Sequence, residues 1–179
     1  MNLKDLIRLV GDLLPSMNVR YFVFGAVAMD FWINPRMTAD LDIVVCLEKK
    51  EIPAFIRQLN GKGFRIVQSR QRALWEGRIL RLPIGNTSLD IKICKTAHDL
   101  EALTRARKAM TALTDLFVAT PEDIILYKLQ SWRRQDQADI ERLKNEVDDL
   151  ETSYLRSWIE RIERTTGIPM NARWKSFSI

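Results

Sequence analysis

The chain is poor in the residues that build most metal and redox centres. Of its 179 residues, one is histidine and two are cysteine. A site made from several imidazoles is therefore excluded, and His98, at the start of a helical pattern, is expected to be a capping or surface residue. Cys46 and Cys94 each close an apolar, strand-like run, the setting of free thiols in a reducing compartment rather than of a disulfide. Long apolar runs are missing too. The longest, such as 21–24 and 43–47, are far too short to span a bilayer. There is no charged start followed by an apolar stretch and a small-residue cleavage site, so the expected location is the cytoplasm. Internal repeats, low-complexity tracts and Gly/Ser linkers are also lacking.

What is present suits a packed domain. Apolar residues make up 46% of the chain, enough for a substantial core. The formal net charge is only +5, but its placement is uneven. Arg57, Lys62, Arg65, Arg70, Arg72, Arg78 and Arg81 fall in one stretch, opposed only by Glu76. Such an excess fits a polyanionic partner, because phosphate neutralisation releases counterions. It fits equally a solvated sheet edge, where charge discourages strand-to-strand aggregation.

Apolar spacing sets out the elements. Leu3, Leu6, Ile7, Val10, Leu13 and Leu14 recur at helical intervals, predicting a helix over 3–14 that stops at Pro15. Strands are expected at 21–24 and 41–46, with a helix opening at Gly25-Ala26 between them and broken at Asn34-Pro35. A helix over 52–59, strands at 64–67, 79–84 and 89–94, a helix over 98–109 and a short strand at 116–118 follow. The character then changes. Thr120-Pro121-Glu122-Asp123 is a strong helix start, with a capping threonine, proline at the first helical position and acids in the first turn. Helices are expected over 121–134, 137–149 and 153–165, the last stopped at Gly167. Residues 1–118 thus form an α/β half, 119–168 a helical region, and 169–179 a loosely held tail in which Trp174-Lys175 is disordered. Trp32, Trp75, Trp132 and Trp158 could stack bases, but their positions on helices and strands favour core roles.

The chemistry is concentrated in residues 21–45, YFVFGAVAMDFWINPRMTADLDIVV. Side chains alternate along a strand, so Asp40 and Asp42 project from the same face. Two carboxylates that close repel each other unless a cation lies between them, and hard oxygen ligands select magnesium or manganese. Asp90, in the apolar run SLDIKI, offers a third acid on another strand. Gly25-Ala26 opens a helix directly after a strand, where free backbone N–H groups make a phosphate seat.

Strand, Gly-small, helix, then Arg36-x-Thr38-x-Asp40-x-Asp42 leading into an apolar strand resembles the DNA polymerase β-like nucleotidyltransferase superfamily. The C-terminal half, with TPED leading to Lys128 and then Arg134, Asp136 and Asp139, is similar to its abortive-infection-type (AbiEii-like) branch. The resemblance implies a minimal nucleotidyltransferase fold, a mixed α/β (α+β) sheet flanked by helices and followed by a C-terminal helical bundle. It implies Asp40, Asp42 and Asp90 as catalytic metal ligands for Mg2+ or Mn2+, with an NTP as substrate. Gly25, Ala26, Arg36, Thr38 and Lys128 would bind the nucleotide: the Gly25 and Ala26 N–H groups and Lys128 hold the β- and γ-phosphates, and Thr38 orders the turn before Asp40. Arg36 would brace the loop that carries the acids, touch phosphate, or make a surface salt bridge. Asp136 and Asp139 would share a face with Lys128 or face water.

The expected function is transfer of a nucleoside monophosphate from an NTP to an acceptor hydroxyl on RNA, tRNA foremost. Arg57, Arg65, Arg70, Arg72, Arg78 and Arg81 would hold the RNA. Many members of the branch are toxins of bacterial toxin–antitoxin pairs, which implies a cognate antitoxin as a partner and no membrane. Nucleotidylation of a protein, a catalytically silent nucleotide- or partner-binding module, and modification of a drug are the competing readings. The helical half, the full set of acids and the basic surplus weigh against them in turn.

Overall fold

A computed structural model describes residues 1–177. The chain divides into two units: Met1–Val27 with Met37–Ala119, and Ala28–Arg36 with the chain from Thr120 onward.

In the first unit, helix α1 (Leu3–Ser16) is capped by Asn2 and turns Leu6, Val10 and Leu14 inward. Pro15 is accommodated in its last turn. Strand β1 (Arg20–Phe24) leads at once into α2 (Gly25–Met29), a helix of only five residues that ends well before Asn34-Pro35. Strand β2 (Asp40–Cys46) is followed by a 3-10 turn and α3 (Ile52–Gly61). Helix α4 (Gln68–Glu76), strands β3 (Leu80–Ile84) and β4 (Thr87–Ile93), helix α5 (Ala97–Arg105) and strands β5 (Arg107–Met110) and β6 (Asp115–Val118) complete it. The strands form one mixed sheet in the order β3-β4-β2-β1-β6-β5. Strand β2 runs parallel to β4 and antiparallel to β1, and β1 runs parallel to β6. The central strands are apolar on both faces: Phe22, Val23, Leu41, Ile43, Val44, Leu89 and Ile91 are all fully buried, as in a sheet covered on both sides.

In the second unit, α6 (Pro121–Ser131), α7 (Arg134–Glu146), α8 (Thr152–Thr166) and α9 (Met170–Lys175) follow one another. Thr120 caps α6, accepting from the Asp123 N–H at 3.4 Å, and α8 stops at the left-handed Gly167. Ile124, Ile125, Leu129, Ile140, Leu143, Leu155 and Met170 fill the core of this unit.

Four expectations need correction. No strand forms at 64–67. Phe64 and Ile66 are buried in alternation, but the Phe64 N–H bonds to Leu59 O and the Ile66 N–H to Asn60 Oδ1. The end of α3 thus takes up the backbone groups that a neighbouring strand would need. Helix α4 then occupies the charged segment that follows. The helix expected to reach residue 109 stops at Arg105, and Arg107–Met110 becomes an edge strand paired with β6 around a Thr111–Thr114 turn. Residues 170–175 are helical. Arg173 donates to the Leu129 and Gln130 carbonyls at the end of α6, and Lys144 lies over the Trp174 ring. Finally, His98 is buried rather than exposed. Of the tryptophans, Trp158 is buried, Trp32 and Trp132 are half-buried and Trp75 is exposed. Both cysteines are free thiols. Burial, reinforced by the Asp99 charge, pushes Cys94 up to about 12.

Candidate active site

Register gathers the acids. Phe24, Asp42, Asp90 and Arg81 are successive partners across β1, β2, β4 and β3, and Asp40 pairs with Ser88 one step along the same face. Side chains at paired positions project together, so one face carries Asp40, Asp42, Ser88, Asp90 and Arg81. Their neighbours Leu41, Ile43, Leu89 and Ile91 point the other way into the core. That alternation leaves the acids on a firm base with access to solvent.

Contacts tie the group together. Ser88 Oγ lies 2.7 Å from Asp40 Oδ1 and 3.1 Å from Asp90 Oδ1. Its single proton can serve only one of them at a time. The Arg81 guanidinium sits 3.1 Å from both Asp40 carboxylate oxygens. Thr38 Oγ1 accepts from the Asp40 N–H at 3.4 Å, ordering the approach to β2 as expected of a turn residue. Thr87 donates to the Ala39 carbonyl and fixes the same turn from β4.

Gly25 lies directly against one of the acids. It has φ +72°, and a Cβ there would collide with the Asp42 carboxylate. Only glycine combines that backbone with that clearance. Because α2 is a five-residue helix, the dipole behind the expected phosphate seat is small. What Gly25 visibly supplies is room for Asp42. Ala26 is buried behind it.

Arg36 and Lys128 come together in the helical unit, on the same carboxylate. Arg36 grips Asp139 with two bonds of 2.9 Å from Nε and Nη2, and Lys128 Nζ lies 2.6 Å from Asp139 and 3.6 Å from Asp136. Gln135 adds a bond to Asp139, while Arg133 and Ser131 bond Asp136. Lys128, Asp136 and Asp139 are all buried. Burial alone would raise both carboxyls, but the Arg36 and Lys128 bonds hold Asp139 below the usual carboxylate range, and the Arg133 and Ser131 bonds do the same for Asp136. Asp136 and Asp139 therefore share a face with Lys128 and do not face water. Of the readings open for Arg36, the structure shows the salt bridge, half-buried on Asp139 rather than at the surface.

The basic residues of this stretch are all exposed: Arg57 is on α3, Arg70 and Arg72 on α4, Arg81 on β3 at the expected strand, and Lys62, Arg65 and Arg78 in the connections. Its charges are not equivalent. Arg72 and Arg78 both close on Glu76, at 2.5 and 2.6 Å, and Arg81 is turned onto the acids. Arg65 and Arg70 instead line a cavity of about 410 Å³ with Gly63, Phe64, Val67, Leu82 and Pro83.

Sequence reasoning missed Ser88 and gave Arg81 a different role. Ser88 stands two residues before Asp90, a spacing that puts both on one face, and this was the available signal. Nothing in the sequence announces that Arg81 would lie opposite Asp90.

The oxygen-only donor set suits a hard divalent ion. Among the described residues, no three acid, histidine or cysteine side chains form a ready-made metal cage. Magnesium asks for less, since one or two carboxylates with waters and substrate phosphates hold it. Asp40, Asp42 and Asp90, in register on one face of the sheet, offer carboxylates of that kind.

No protein-family model matches the chain, and no curated protein matches it in sequence. Solved structures do match. The solution structure of the antibiotic-resistance factor ANT(2'')-Ia aligns with a TM-score of 0.64 at 14% identity, over 92% of this chain and 96% of that one. The lincosamide antibiotic adenylyltransferase LnuA, bound to lincomycin, gives 0.58 at 18% identity, over 80% and 98%. An antigenic nucleotidyltransferase-like protein from Paracoccidioides brasiliensis gives 0.52 at 16% identity, over 96% and 92%. The chain has the α/β fold of nucleotidyltransferases, as the sequence motifs implied. Among the described residues no helix is long and apolar enough to cross a membrane.

Proposed function

We propose that this chain is a magnesium-dependent nucleotidyltransferase that moves a nucleoside monophosphate from an NTP to an acceptor hydroxyl on RNA, tRNA foremost. The observation that carries this reading is the register of Asp42 with Asp90, beside Asp40, on one face of a nucleotidyltransferase sheet.

Asp40, Asp42 and Asp90 would hold the metal, which when bound neutralises the leaving pyrophosphate and lowers the pKa of the acceptor hydroxyl. The chain's own residues do the rest. The strand pairing keeps the carboxylates in place without reorganisation as charge develops. Asp90, the deepest of the pair bridged by Ser88, is the base that takes the acceptor proton. Ser88 gives its one proton to Asp40 or to Asp90. Gly25 keeps the space before Asp42 clear.

RNA as acceptor is supported by the exposed arginines, above all Arg65 and Arg70, whose cavity joins two cations to an apolar floor. Arg57 adds charge on α3, while Arg72 and Arg78 are partly neutralised by Glu76. The role that goes with this reading is that of a cytoplasmic toxin held in check by a cognate antitoxin.

A second reading, transfer to a small polyhydroxylated molecule, has one observation in its favour. Asp30, Phe31, Trp32, Ile33, Asn34, Pro35 and Glu146 line a cavity of about 480 Å³ in the helical unit. Such an acidic and aromatic lining suits a cationic or sugar-like acceptor.

Incubation with each α-labelled NTP, magnesium and, separately, total RNA, protein and small-molecule extract decides between them. Label on RNA, with binding that weakens steeply with salt at a log–log slope of about −0.7 per phosphate neutralised, is the expected result. Reversing Arg65 and Arg70 to Glu then costs RNA labelling far more than NTP binding, and reversing Arg72 and Arg78 costs less. Label only on small molecules selects the second reading. Label on protein overturns both.

A further inference from the structure

The acid face already contains a cation. Arg81 faces Asp90 across the β3–β4 pair, yet its guanidinium reaches along to Asp40. Nη2 stands 3.1 Å from Asp40 Oδ1 and Oδ2, and Nε stands 3.8 Å from Asp90 Oδ1. One side chain thus spans two of the carboxylates that a divalent ion would use. The two ends of the contact differ in exposure: the Arg81 side chain is 59% exposed, while Asp90 is 14% exposed. An exposed ion pair is weak and easily exchanged. The carboxylates, anchored in paired strands, cannot follow the arginine if it leaves. A guanidinium has no neutral form near pH 7, so it can yield the acids to another cation only by swinging away.

We propose that Arg81 is a displaceable internal counter-ion: it holds Asp40 and Asp90 together before a divalent cation arrives, competes with that cation, and so sets the cation concentration at which the acid face is loaded. This rests on the metal-ion reading of Asp40, Asp42 and Asp90. Arg81 is a positioning residue here, acting on the acids rather than on substrate. Two consequences are opposite in sign. Without cation, loss of Arg81 leaves the acids mutually repelling and lowers stability. With cation, the same loss removes a competitor and tightens binding. A salt bridge with a purely structural role gives the first effect without the second.

Titration of Mn2+ into the full chain, followed by electron paramagnetic resonance of the free ion, measures the second effect directly. Arg81→Ala is expected to bind Mn2+ roughly two- to fivefold more tightly than the parent, the range that an exposed pair allows. Arg81→Lys, a point charge that cannot span both acids, is expected to fall between. In chelator, Arg81→Ala melts below the parent, and added Mg2+ raises its melting temperature by more than it raises the parent's. If the parent binds Mn2+ and Arg81→Ala binds it equally or more weakly, the counter-ion proposal is overturned while the metal-ion reading stands. If neither protein binds Mn2+, with or without a non-hydrolysable NTP, the metal-ion reading fails and the Arg81 proposal falls with it.

Discussion

The chain holds two clusters of aspartate and arginine, one in each unit, built on opposite terms. On the sheet, Asp40 and Asp90 share one hydroxyl proton and one loosely held guanidinium, and solvent reaches all of them. Among the helices, Asp139 is fully buried and takes bonds from Arg36, Lys128 and Gln135, with Asp136 beside it bonded by Arg133 and Ser131. The residue types are nearly the same, and burial separates the two settings. A carboxylate whose lone pairs are all engaged by its own protein has nothing left for a ligand. Asp40 and Asp90, on a rigid base that solvent reaches, are where the proposed function places a cation. The difference explains why Lys128, which on the family resemblance should hold phosphate, is found neutralising two buried aspartates.

That contrast can be broken first at its most buried point. Asp139→Asn leaves Arg36 and the buried Lys128 without their shared anion, and removing one partner of a buried pair costs roughly 3–5 kcal/mol. The melting temperature should fall by about 10 °C, read by circular dichroism. A fall of only a degree or two would mean that the cluster is spare and open to another role. Gly25→Ala comes next. It forces a side chain into a left-handed backbone and against Asp42, at a cost of about 1–3 kcal/mol. Nucleotide transfer measured below the melting transition should drop as well, because the carboxylate must move. Unchanged transfer would show that the position of Asp42 is not critical.

Acid should separate the two clusters more gently. Asp136 and Asp139 are held below their ordinary values, so each contributes stability that is full above the unfolded carboxyl value, about 4. That contribution is lost as pH falls through the lower folded value. The parent should therefore lose stability between about pH 4 and more acidic conditions, and Asp139→Asn should show a shallower loss in urea titrations at graded pH. Equal slopes would contradict the assignment. The smallest effect belongs to Glu76→Gln. This exposed carboxylate binds Arg72 and Arg78, so its loss should leave the melting temperature unchanged. It should strengthen RNA binding slightly in a filter assay, since two arginines are released.

Much of this was readable from the sequence. The 3.6-residue spacing in 3–14, the apolar runs of β1, β2 and β4, and the Thr120-Pro121 helix start each carry a local signal, and each element formed within a few residues of the reading. The acids were legible because alternation fixes the face on which Asp40 and Asp42 stand. Other features depended on distant partners. Helix α4 buries only Leu74, too little to leave an apolar period. The edge strand Arg107–Met110 is polar and exists because β6 pairs with it. The helix over residues 170–175 is held by buried Met170 and by Arg173 on the α6 carbonyls. Ser88 and Arg81 joined the site through strand register, which a single sequence does not display.

On the proposed function, the sheet acids serve chemistry and the helical acids serve stability. Label transfer from an α-labelled NTP to the acceptor, measured for Asp42→Asn beside the parent at a temperature where both are folded by circular dichroism, tests it most directly. A loss of roughly a hundredfold or more in rate is expected, with the melting temperature nearly unchanged. Transfer at the parent's rate by Asp42→Asn, with saturating magnesium, would contradict it.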